Sequence, residues 1–474
     1  GALALDAEDN LEAYAAENVI FAVGGPGGLY KTSVYPDVHT GAIGLALMAG
    51  AKAQSLPESQ YGLASTKFRW NVSGTYMQVI PRFISTEAVG TDLAVRSSDP
   101  KEFMPPYFDS VGEMNSMVFL KGYQWPFDWR KVRGGSSIVD ILVYIETVLR
   151  GRRVFLDFRE NPEGFSFEDL SDEARTYLAK SEALLDTPIA RLEKMNPGAI
   201  QLYLDHGIDI HTEPLEVAVC AQHNNGGLAG NLWWESLNVR HLFPLGEVNG
   251  SHGIYRPGGS ALNSGQVAGF RAAEYIANRY AEWTLDESAV QQAVKDAAAD
   301  LLVWMTQTAE ESLPWQQERT EFQTRMSKAG AHIRSAESLR EAVTEAWAQF
   351  KHVNDAPDPA NVSESLRNRQ LCFAHAVYLE SLLFALENGV GSRGSSIALD
   401  PGGMPVHSKL DTAPHGGMWR IVEENEAFRD KVLETVATLD GDVTCEWVSR
   451  RPLPHPDSWF ETAWAKFREG KIYS

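Results

Sequence analysis

The sequence predicts an α/β fold in which a parallel, nucleotide-binding type of sheet is interrupted by an inserted α+β cap domain and followed by a helical domain. Three observations carry this prediction. Two short apolar runs, residues 19–23 and 242–245, each lead into a glycine-containing loop, as the central strands of parallel sheets do. The stretch between them is rich in tryptophan and proline. After residue 286, apolar residues recur at the three- and four-residue spacing of amphipathic helices.

The first part of the sheet domain is assigned to residues 1–56. Its strand, residues 19–23, is closed by a Gly-Gly-Pro-Gly-Gly run that begins at Gly24. Residues 40–51 follow as a helix of small residues, whose glycines and alanines favour close packing. A continuous apolar strand of this kind is typical of the centre of a parallel sheet.

The remaining boundaries follow from changes in composition. Residues 57–207 are predicted to form the cap, with a helix over residues 137–150. The sheet domain resumes over residues 208–285, with a strand at residues 216–220. Residues 286–474 are assigned to the helical domain and a terminal extension.

The most informative segment is the loop that follows residues 242–245. It carries Glu247, His252 and Arg256 and leads into a small-residue helix near Leu262. A strand–loop–helix of this kind presents backbone N–H groups and the positive end of a helix dipole to whatever lies over the loop. An electron-rich cofactor edge suits that position, and a carboxylate suits the two cationic side chains beside it.

Composition excludes several classes of function. The 474 residues carry a formal net charge of −21, which argues against nucleic acid as a partner, since a basic surface is expected there. Cys220, Cys372 and Cys445 lie far apart without a Cys-x-x-Cys pair, so neither a disulfide framework nor a metal site is expected. A reducing compartment fits this cysteine usage, and we expect a cytoplasmic protein that is not integral to a membrane.

The order of these motifs resembles the flavoprotein family of fumarate reductase, succinate dehydrogenase and aspartate oxidase over most of the chain. The motifs that carry the resemblance are the strand ending at Gly24-Gly25, Thr86-Glu87, the His-Asn-Asn-Gly-Gly run from His223, the Gly246-Glu247 loop and Ser392-Arg393-Gly394. Each motif is weak alone, and their order is specific. The fold class implied is therefore a partial Rossmann-like FAD-binding domain with an inserted α+β cap and a C-terminal helical domain.

The resemblance also implies the cofactor, FAD, and a set of site residues. Arg256, His223 and His252 are expected to hold a substrate carboxylate. Arg133, just before the predicted cap helix, is expected to shuttle a proton, with Glu87 as its relay partner. The cofactor contacts implied are Gly24, Gly25, Glu247 (at the ribose), Gly259, Ser260, Ala261 and Leu262.

Two departures from the family pattern bear on the substrate. The family's Gln-Tyr-His motif stands here as Gln60-Tyr61-Gly62, and no arginine occurs in residues 88–92 after the Thr-Glu pair. Loss of one cation from a carboxylate site costs about 1.5–3 kcal/mol of charge-assisted hydrogen bonding. A monocarboxylate with a bulky tail is therefore expected in preference to a simple dicarboxylate such as fumarate.

The largest departure concerns the family's opening strand and Gly-x-Gly-x-x-Gly turn, which hold the FAD pyrophosphate. No strand-linked turn of this kind occurs in the sequence. Two explanations stay open: a leading portion has been lost from the sequence, or a second chain supplies that half of the site. An iron–sulfur or other electron-transfer partner is also implied by the resemblance.

The expected function is hydride transfer between a flavin and the carbon–carbon bond beside a substrate carboxylate. Two alternatives remain at this point. One is an amino-acid or amine oxidase resembling aspartate oxidase. The other is a non-catalytic scaffold component of a flavoprotein complex, which would fit the absent phosphate turn and the lost histidine.

Overall fold

A computed structural model describes residues 1–87, 100–307, 313–412, 417–452 and 459–473. The strands are β1 (Ala2–Leu5), β2 (Leu11–Tyr14), β3 (Val19–Phe21), β4 (Ala53–Gln54), β5 (Ser59–Ser65), β6 (Trp70–Asn71), β7 (Arg82–Thr86), β8 (Lys101–Glu102), β9 (Arg153–Asp157), β10 (Leu215–Asn224), β11 (Gly227–Leu228), β12 (Leu242–Pro244), β13 (Ile333–Arg334), β14 (Ile397–Pro405), β15 (Arg420–Val422), β16 (Lys431–Ala437) and β17 (Val443–Ser449). The helices are α1 (Ile43–Met48), α2 (Thr75–Gln78), α3 (Val111–Lys121), α4 (Ser137–Tyr144), α5 (Asp172–Lys180), α6 (Pro188–Met195), α7 (Pro197–Asp205), α8 (Ser260–Arg279), α9 (Glu287–Thr306), α10 (Trp315–Arg325), α11 (Ala336–Asp355), α12 (Val362–Glu387), α13 (Ser408–Thr412) and α14 (Trp459–Arg468).

The largest sheet has six strands in the order β6-β5-β10-β9-β7-β8, and all its neighbours are antiparallel. Every residue of β5 is buried, as expected for a strand covered on both faces. The sequence predicts that β10 returns to the parallel sheet, but β10 pairs with β5 and β9 instead. A buried apolar strand suits either sheet by composition, so its partners could not be chosen from the sequence.

The predicted parallel sheet consists of one pair within the described residues, β3 beside β12. Helix α8 follows β12 through a loop and packs on it through Phe243, Ala268 and Ala272. Ile20 of β3 is 49% exposed, so one face of this strand lies open.

The helical part is built on α11 and α12, which pack along one another, and α12 also packs against α1. The closest approach is at Gly44 of α1, where an added Cβ would lie 1.9 Å from the carbonyl oxygen of Gln370. Side-chain caps begin three of the helices, because the oxygens of Asp286, Ser335 and Asn361 accept hydrogen bonds from N–H groups of the first turn. The helical character predicted after residue 286 is present, and β16 and β17 add a hairpin that joins β4.

Among the residues described, no helix is both long enough and apolar enough to cross a lipid bilayer. The three cysteines are free thiols. Within the same part of the chain, no group of three histidine, cysteine or acidic side chains is arranged to hold a metal ion.

Three buried histidines make the stability of the fold sensitive to acid. Burial lowers the pKa values of His223, His332 and His375 to about 3. An unfolded histidine titrates near 6.5, so between pH 6.5 and 3 the unfolded chain binds protons that the folded chain does not. Each histidine's contribution is complete above pH 6.5 and is lost as the pH falls, by about 1.4 kcal/mol per pH unit.

We therefore expect His375→Leu to reduce the acid dependence of stability by about 1.4 kcal/mol per pH unit between pH 4.5 and 6. Urea unfolding at several pH values in this interval measures it. His211 is the control: Glu193 and Asp209 raise its pKa, so His211→Leu should leave the gradient in this interval unchanged. An equal gradient in wild type and His375→Leu would contradict the prediction.

Candidate active site

The site begins at the end of strand β10, where a β-bulge lies between Ala221 and His223. The bulge brings His223 into register with Gln60 of β5, so both side chains point from the same face of the sheet. The Nδ1 atom of His223 lies 3.0 Å from Oδ1 of Asn225, and its Nε2 atom is buried without a hydrogen-bond partner.

The loop between β12 and α8 supplies the next two side chains. Its position is set by the N–H of His252, which donates to the carbonyl oxygen of Asn225 at 3.3 Å. The His252 and His223 rings meet edge to face, with centroids 4.7 Å apart. Arg256 is held by Gln60 through two bonds: its Nε donates to Oε1 of Gln60 at 2.8 Å, and Nε2 of Gln60 donates to the Arg256 carbonyl at 3.0 Å.

Both histidines are neutral at neutral pH. Burial is the main cause of the low pKa of His223, and Arg256 and His252 lower it further. Burial also lowers the pKa of His252, whose Nδ1 faces the Asn249 carbonyl oxygen at 3.2 Å. The Nε2 atom of His252 is likewise buried without a partner. Two neutral imidazoles and one guanidinium thus lie together, and the guanidinium carries the positive charge.

Glu247 lies behind this cluster. Its Oε1 accepts hydrogen bonds from the Tyr35 hydroxyl and from the N–H of Asn224, the latter at 2.8 Å, and is 3.9 Å from Nε2 of His223. Burial raises the pKa of Glu247. An added Cβ on Gly25 would lie 2.4 Å from this carboxylate, so Gly25 is required for the close approach.

The predicted cofactor contacts at the start of α8 form an open helix end. Gly259 has a left-handed φ of +79° and no side chain caps the helix there. Ser260 Oγ donates to the Pro257 carbonyl instead, at 2.8 Å. Ala261 follows, and Leu262 is 79% exposed. Gly24, at φ +70°, packs against the ring of His39.

A cleft of about 320 Å³ adjoins Arg256, and residues of the cap form its opposite wall. Its lining includes Gln60, Asp128, Arg130, Lys131, Tyr255, Arg256 and Ser395. The Arg130 guanidinium lies 4.0 Å from the centre of the Tyr255 ring and is held by both oxygens of Asp128, at 3.0 and 2.7 Å. Trp129 Nε1 donates to the Tyr255 hydroxyl at 3.0 Å.

The Ser-Arg-Gly motif of the helical part forms another side of the cleft. Arg393 is paired in the interior with Glu58, and its Nε donates to Oε1 at 2.8 Å. The Gly394 carbonyl accepts from the N–H of Trp129 at 3.3 Å, and Ser395 Oγ accepts from the N–H of Tyr61 at 2.9 Å. This motif therefore joins three parts of the chain at the cleft.

Two predicted residues do not join this cluster. Arg133 is 53% exposed and lies 3.8 Å from Glu423, outside the lining of the cleft. Glu87 is 71% exposed at the end of β7, 3.8 Å from Arg152. Residues 88–92, where the family arginine is missing from the sequence, lie outside the described residues.

Sequence reasoning missed Gln60, Asp128 and Arg130. The altered Gln60-Tyr61-Gly62 motif was a usable signal for Gln60. Once β5 and β10 pair, Gln60 lies opposite His223, which the sequence predicts as a site residue. Gly62 itself makes room for Trp125, whose Nε1 would lie 2.5 Å from an added Cβ. Nothing in the sequence distinguishes Arg130 from the neighbouring arginines.

Comparison with known proteins gives partial matches, and no family model matches the chain. It is 30% identical over 217 residues to one component of the fumarate reductase (CoM/CoB) of Methanothermobacter marburgensis, a match that covers 43% of this chain and 36% of the relative. It is 23% identical over 284 residues to L-aspartate oxidase of Vibrio cholerae, a match that covers 59% of this chain and 43% of the relative. The matched part is thus less than half the length of either relative.

Among solved structures, the quinol fumarate reductase FrdA of E. coli is similar, with a TM-score of 0.61 at 18% identity. The similarity covers 94% of this chain and 68% of that chain, and it shows a shared mixed helix and sheet fold. The resemblance predicted from the motif order is therefore confirmed: the chain is similar, over part of their length, to a fumarate reductase component and to L-aspartate oxidase, and it shares the fold of a fumarate reductase chain.

Proposed function

We propose that this chain is the substrate-binding part of an FAD-dependent oxidoreductase acting on a carbon–carbon bond beside a carboxylate. One observation carries the proposal: His223, at the end of β10, meets His252 and Arg256, which lie on the loop between β12 and α8. The guanidinium of Arg256 is a suitable donor for a carboxylate, and the two neutral imidazoles beside it add no negative charge to compete with that anion.

The residues present fit the flavin end of FAD. The Nε2 atoms of His223 and His252 are buried and unpartnered, and α8 begins with no capping side chain. Such a helix end attracts the electron-rich edge of a ring. The pyrophosphate end lacks its glycine turn in this sequence. Glu247, predicted at the ribose, is held by Tyr35 and Asn224 and can approach a cofactor only with its remaining oxygen.

When bound, FAD supplies hydride transfer to or from a carbon of the substrate. The chain's own residues orient that substrate. Arg256, kept in place by Gln60, binds the carboxylate in this proposal. The neutral His223 and His252 each donate through Nδ1, to oxygens of Asn225 and Asn249, so their Nε2 atoms are left as hydrogen-bond acceptors. The guanidinium also stabilises enolate-like charge as it develops on the carboxylate.

The proton must come from a group that faces the substrate across the cleft. The sequence predicts Arg133 for this step, but its exposed position beside Glu423 does not support the role. We propose that Arg130 carries it, because its guanidinium lines the cleft and Asp128 is bound to it as a reprotonating partner. Hydrogen bonding to Asp128 raises the pKa of Arg130, so the donor is fully charged before transfer.

The cleft favours an aromatic monocarboxylate over a small dicarboxylate. Tyr255 and Phe127 give the cleft an aromatic lining, and Gly62 stands where the family has a second carboxylate-binding histidine. Cinnamate, which has one carboxylate and a conjugated ring, is therefore a suitable probe, with fumarate as the comparison.

We also propose that a polypeptide carrying the Gly-x-Gly-x-x-Gly unit adds to the edge of β3 that, within the described residues, has no partner strand. A groove of about 780 Å³ runs beside this strand and is lined by apolar side chains such as Leu45 and Met48. Phe270 of α8 is 81% exposed on the same domain. An added parallel strand would pair with β3 and provide the missing phosphate donors.

The proposal is tested on the native assembly. We expect a flavin absorption spectrum and reduction of cinnamate by reduced benzyl viologen under nitrogen, with lower kcat/KM for fumarate. The chain expressed alone should bind FAD weakly, and addition of the glycine-turn unit should restore binding. A native assembly without flavin or turnover would overturn the proposal in favour of a scaffold role.

A further inference from the structure

A second cavity, of about 290 Å³, lies where α4, β10 and the segment after α10 meet. None of its lining residues lines the cleft beside Arg256. The lining includes Tyr30, Tyr61, Tyr144, Ala218, Val219, Ala331 and His332, with Lys31 and Lys328 at the opening. Its volume is close to the lower limit of about 300 Å³ for small-molecule sites.

His332 is the first sign that this cavity is built to hold a ligand. The residue is 2% exposed, and both ring nitrogens are without a hydrogen-bond partner among the described residues. The rings of Tyr61, Tyr144 and Phe127 surround it, with centroids 5.8, 5.2 and 5.2 Å away. A neutral imidazole has one donor and one acceptor, and a buried polar group is ordinarily paired.

The tyrosine hydroxyls add a second polar feature. Tyr61 donates to the Gly330 carbonyl at 3.3 Å, so the proton between Tyr30 and Tyr61, whose oxygens are 3.1 Å apart, comes from Tyr30. The Tyr30 oxygen is then left as an acceptor at the cavity. A ligand hydroxyl that both donates and accepts is complementary to this arrangement and to His332.

The opening of the cavity is lined by charged side chains, unlike its interior. Lys31 and Lys328 are both exposed there, and neither is paired with a carboxylate of the described residues. The whole chain is strongly acidic, so two unpaired ammonium groups at one opening form a local anion-attracting point. Between the opening and His332, the walls are largely alanine, valine and aromatic rings.

We propose that this cavity binds a small aromatic acid, with a phenol-type hydroxyl directed to His332 and Tyr30 and a carboxylate at Lys31 and Lys328. The ring of the ligand packs between Tyr61, Tyr144 and the apolar residues of β10. This site is distinct from the Arg256 cleft, and the proposal does not depend on flavin or on turnover.

The test uses 4-hydroxycinnamate as the probe and equilibrium dialysis with the full chain as the measurement. We expect His332→Phe and the double variant Lys31→Ala/Lys328→Ala each to weaken binding by about tenfold, as expected for loss of one well-placed polar contact. Arg256→Ala removes the aromatic-acid site proposed at the other cleft, and in this variant one equivalent of probe should still bind at the cavity, with an affinity within about twofold of the wild-type cavity site. The ring-nitrogen NMR signals of His332 should shift when the probe is added.

The double variant keeps the test decisive if His332→Phe does not fold, because both lysines are exposed. Lys101→Ala/Lys180→Ala is the matched control: it removes two exposed lysines elsewhere and should leave binding unchanged. Absence of binding at millimolar probe would overturn the proposal and leave a cavity filled with water. Binding that is lost in Arg256→Ala but retained in the cavity variants would assign the probe to the other cleft and equally overturn it.

Discussion

Arg256→Ala is expected to lower turnover of the native assembly by about 10²- to 10³-fold, the range found when a preorganised donor to developing negative charge is removed. The flavin spectrum should be unchanged. Arg256 is the only cation among the three clustered side chains, because burial keeps His223 and His252 neutral. Without it, nothing else in that cluster offsets the charge of a bound carboxylate.

Two further variants test whether the loss of turnover comes from the position of the Arg256 charge at the site. Gln60→Ala should cause a smaller loss, mainly as a raised KM, since Gln60 only holds Arg256 in place. Arg279→Ala removes the same charge from the exposed end of α8 and should leave turnover unchanged. Dye-linked cinnamate reduction measures all three, and normal turnover in Arg256→Ala would remove Arg256 from the site.

Asp140→Ala is expected to lower the free energy of unfolding by about 3–5 kcal/mol, a larger loss of stability than any other substitution considered for this chain. Asp140 of α4 and Lys121 of α3 are both completely buried, with Nζ 2.5 Å from Oδ2. Burial raises the pKa of Asp140 and lowers that of Lys121, because it disfavours both charged forms. Each charge is stabilised in the interior by the opposite charge beside it. Removing the carboxylate leaves an ammonium group in an apolar core.

Two comparison variants test whether the loss of stability comes from leaving a buried charge unpaired. The double variant Lys121→Met/Asp140→Leu replaces the pair by apolar groups and should be neutral or stabilising by about 1–4 kcal/mol. Asp430→Ala breaks the exposed pair with Arg450 and should cost no more than about 1 kcal/mol. Urea unfolding followed by tryptophan fluorescence measures all three, and equal losses for Asp140→Ala and Asp430→Ala would contradict the argument.

The proposed reductase and the oxidase alternative differ in their electron acceptor. An oxidase resembling aspartate oxidase would release peroxide under air with an amino-acid substrate, whereas the proposed reductase would act on cinnamate under nitrogen. Both depend on the same Arg256 cluster. A comparison of the assay in air with the assay under nitrogen therefore identifies the electron acceptor. Substitutions in the Arg256 cluster do not distinguish the two functions.

The local parts of the site could be predicted from the sequence. His252, Arg256 and the start of α8 lie within a few residues of one another, and a strand, a glycine-containing loop and a helix leave the chain few ways to place them. The order of the motifs along the chain carried the family resemblance for the same reason: it needs no knowledge of which strands pair.

Tertiary structure alone decided which distant residues complete the site. Gln60 reaches Arg256 because a bulge in β10 sets the register with β5, and Arg130 instead of Arg133 faces the cleft because Asp128 and Tyr255 hold it there. His332 lies at the wall of a cavity because three parts of the chain converge around it. A sequence specifies the side chains and their local spacing. The distances between segments far apart in the chain are set only when buried strands pair and helices pack.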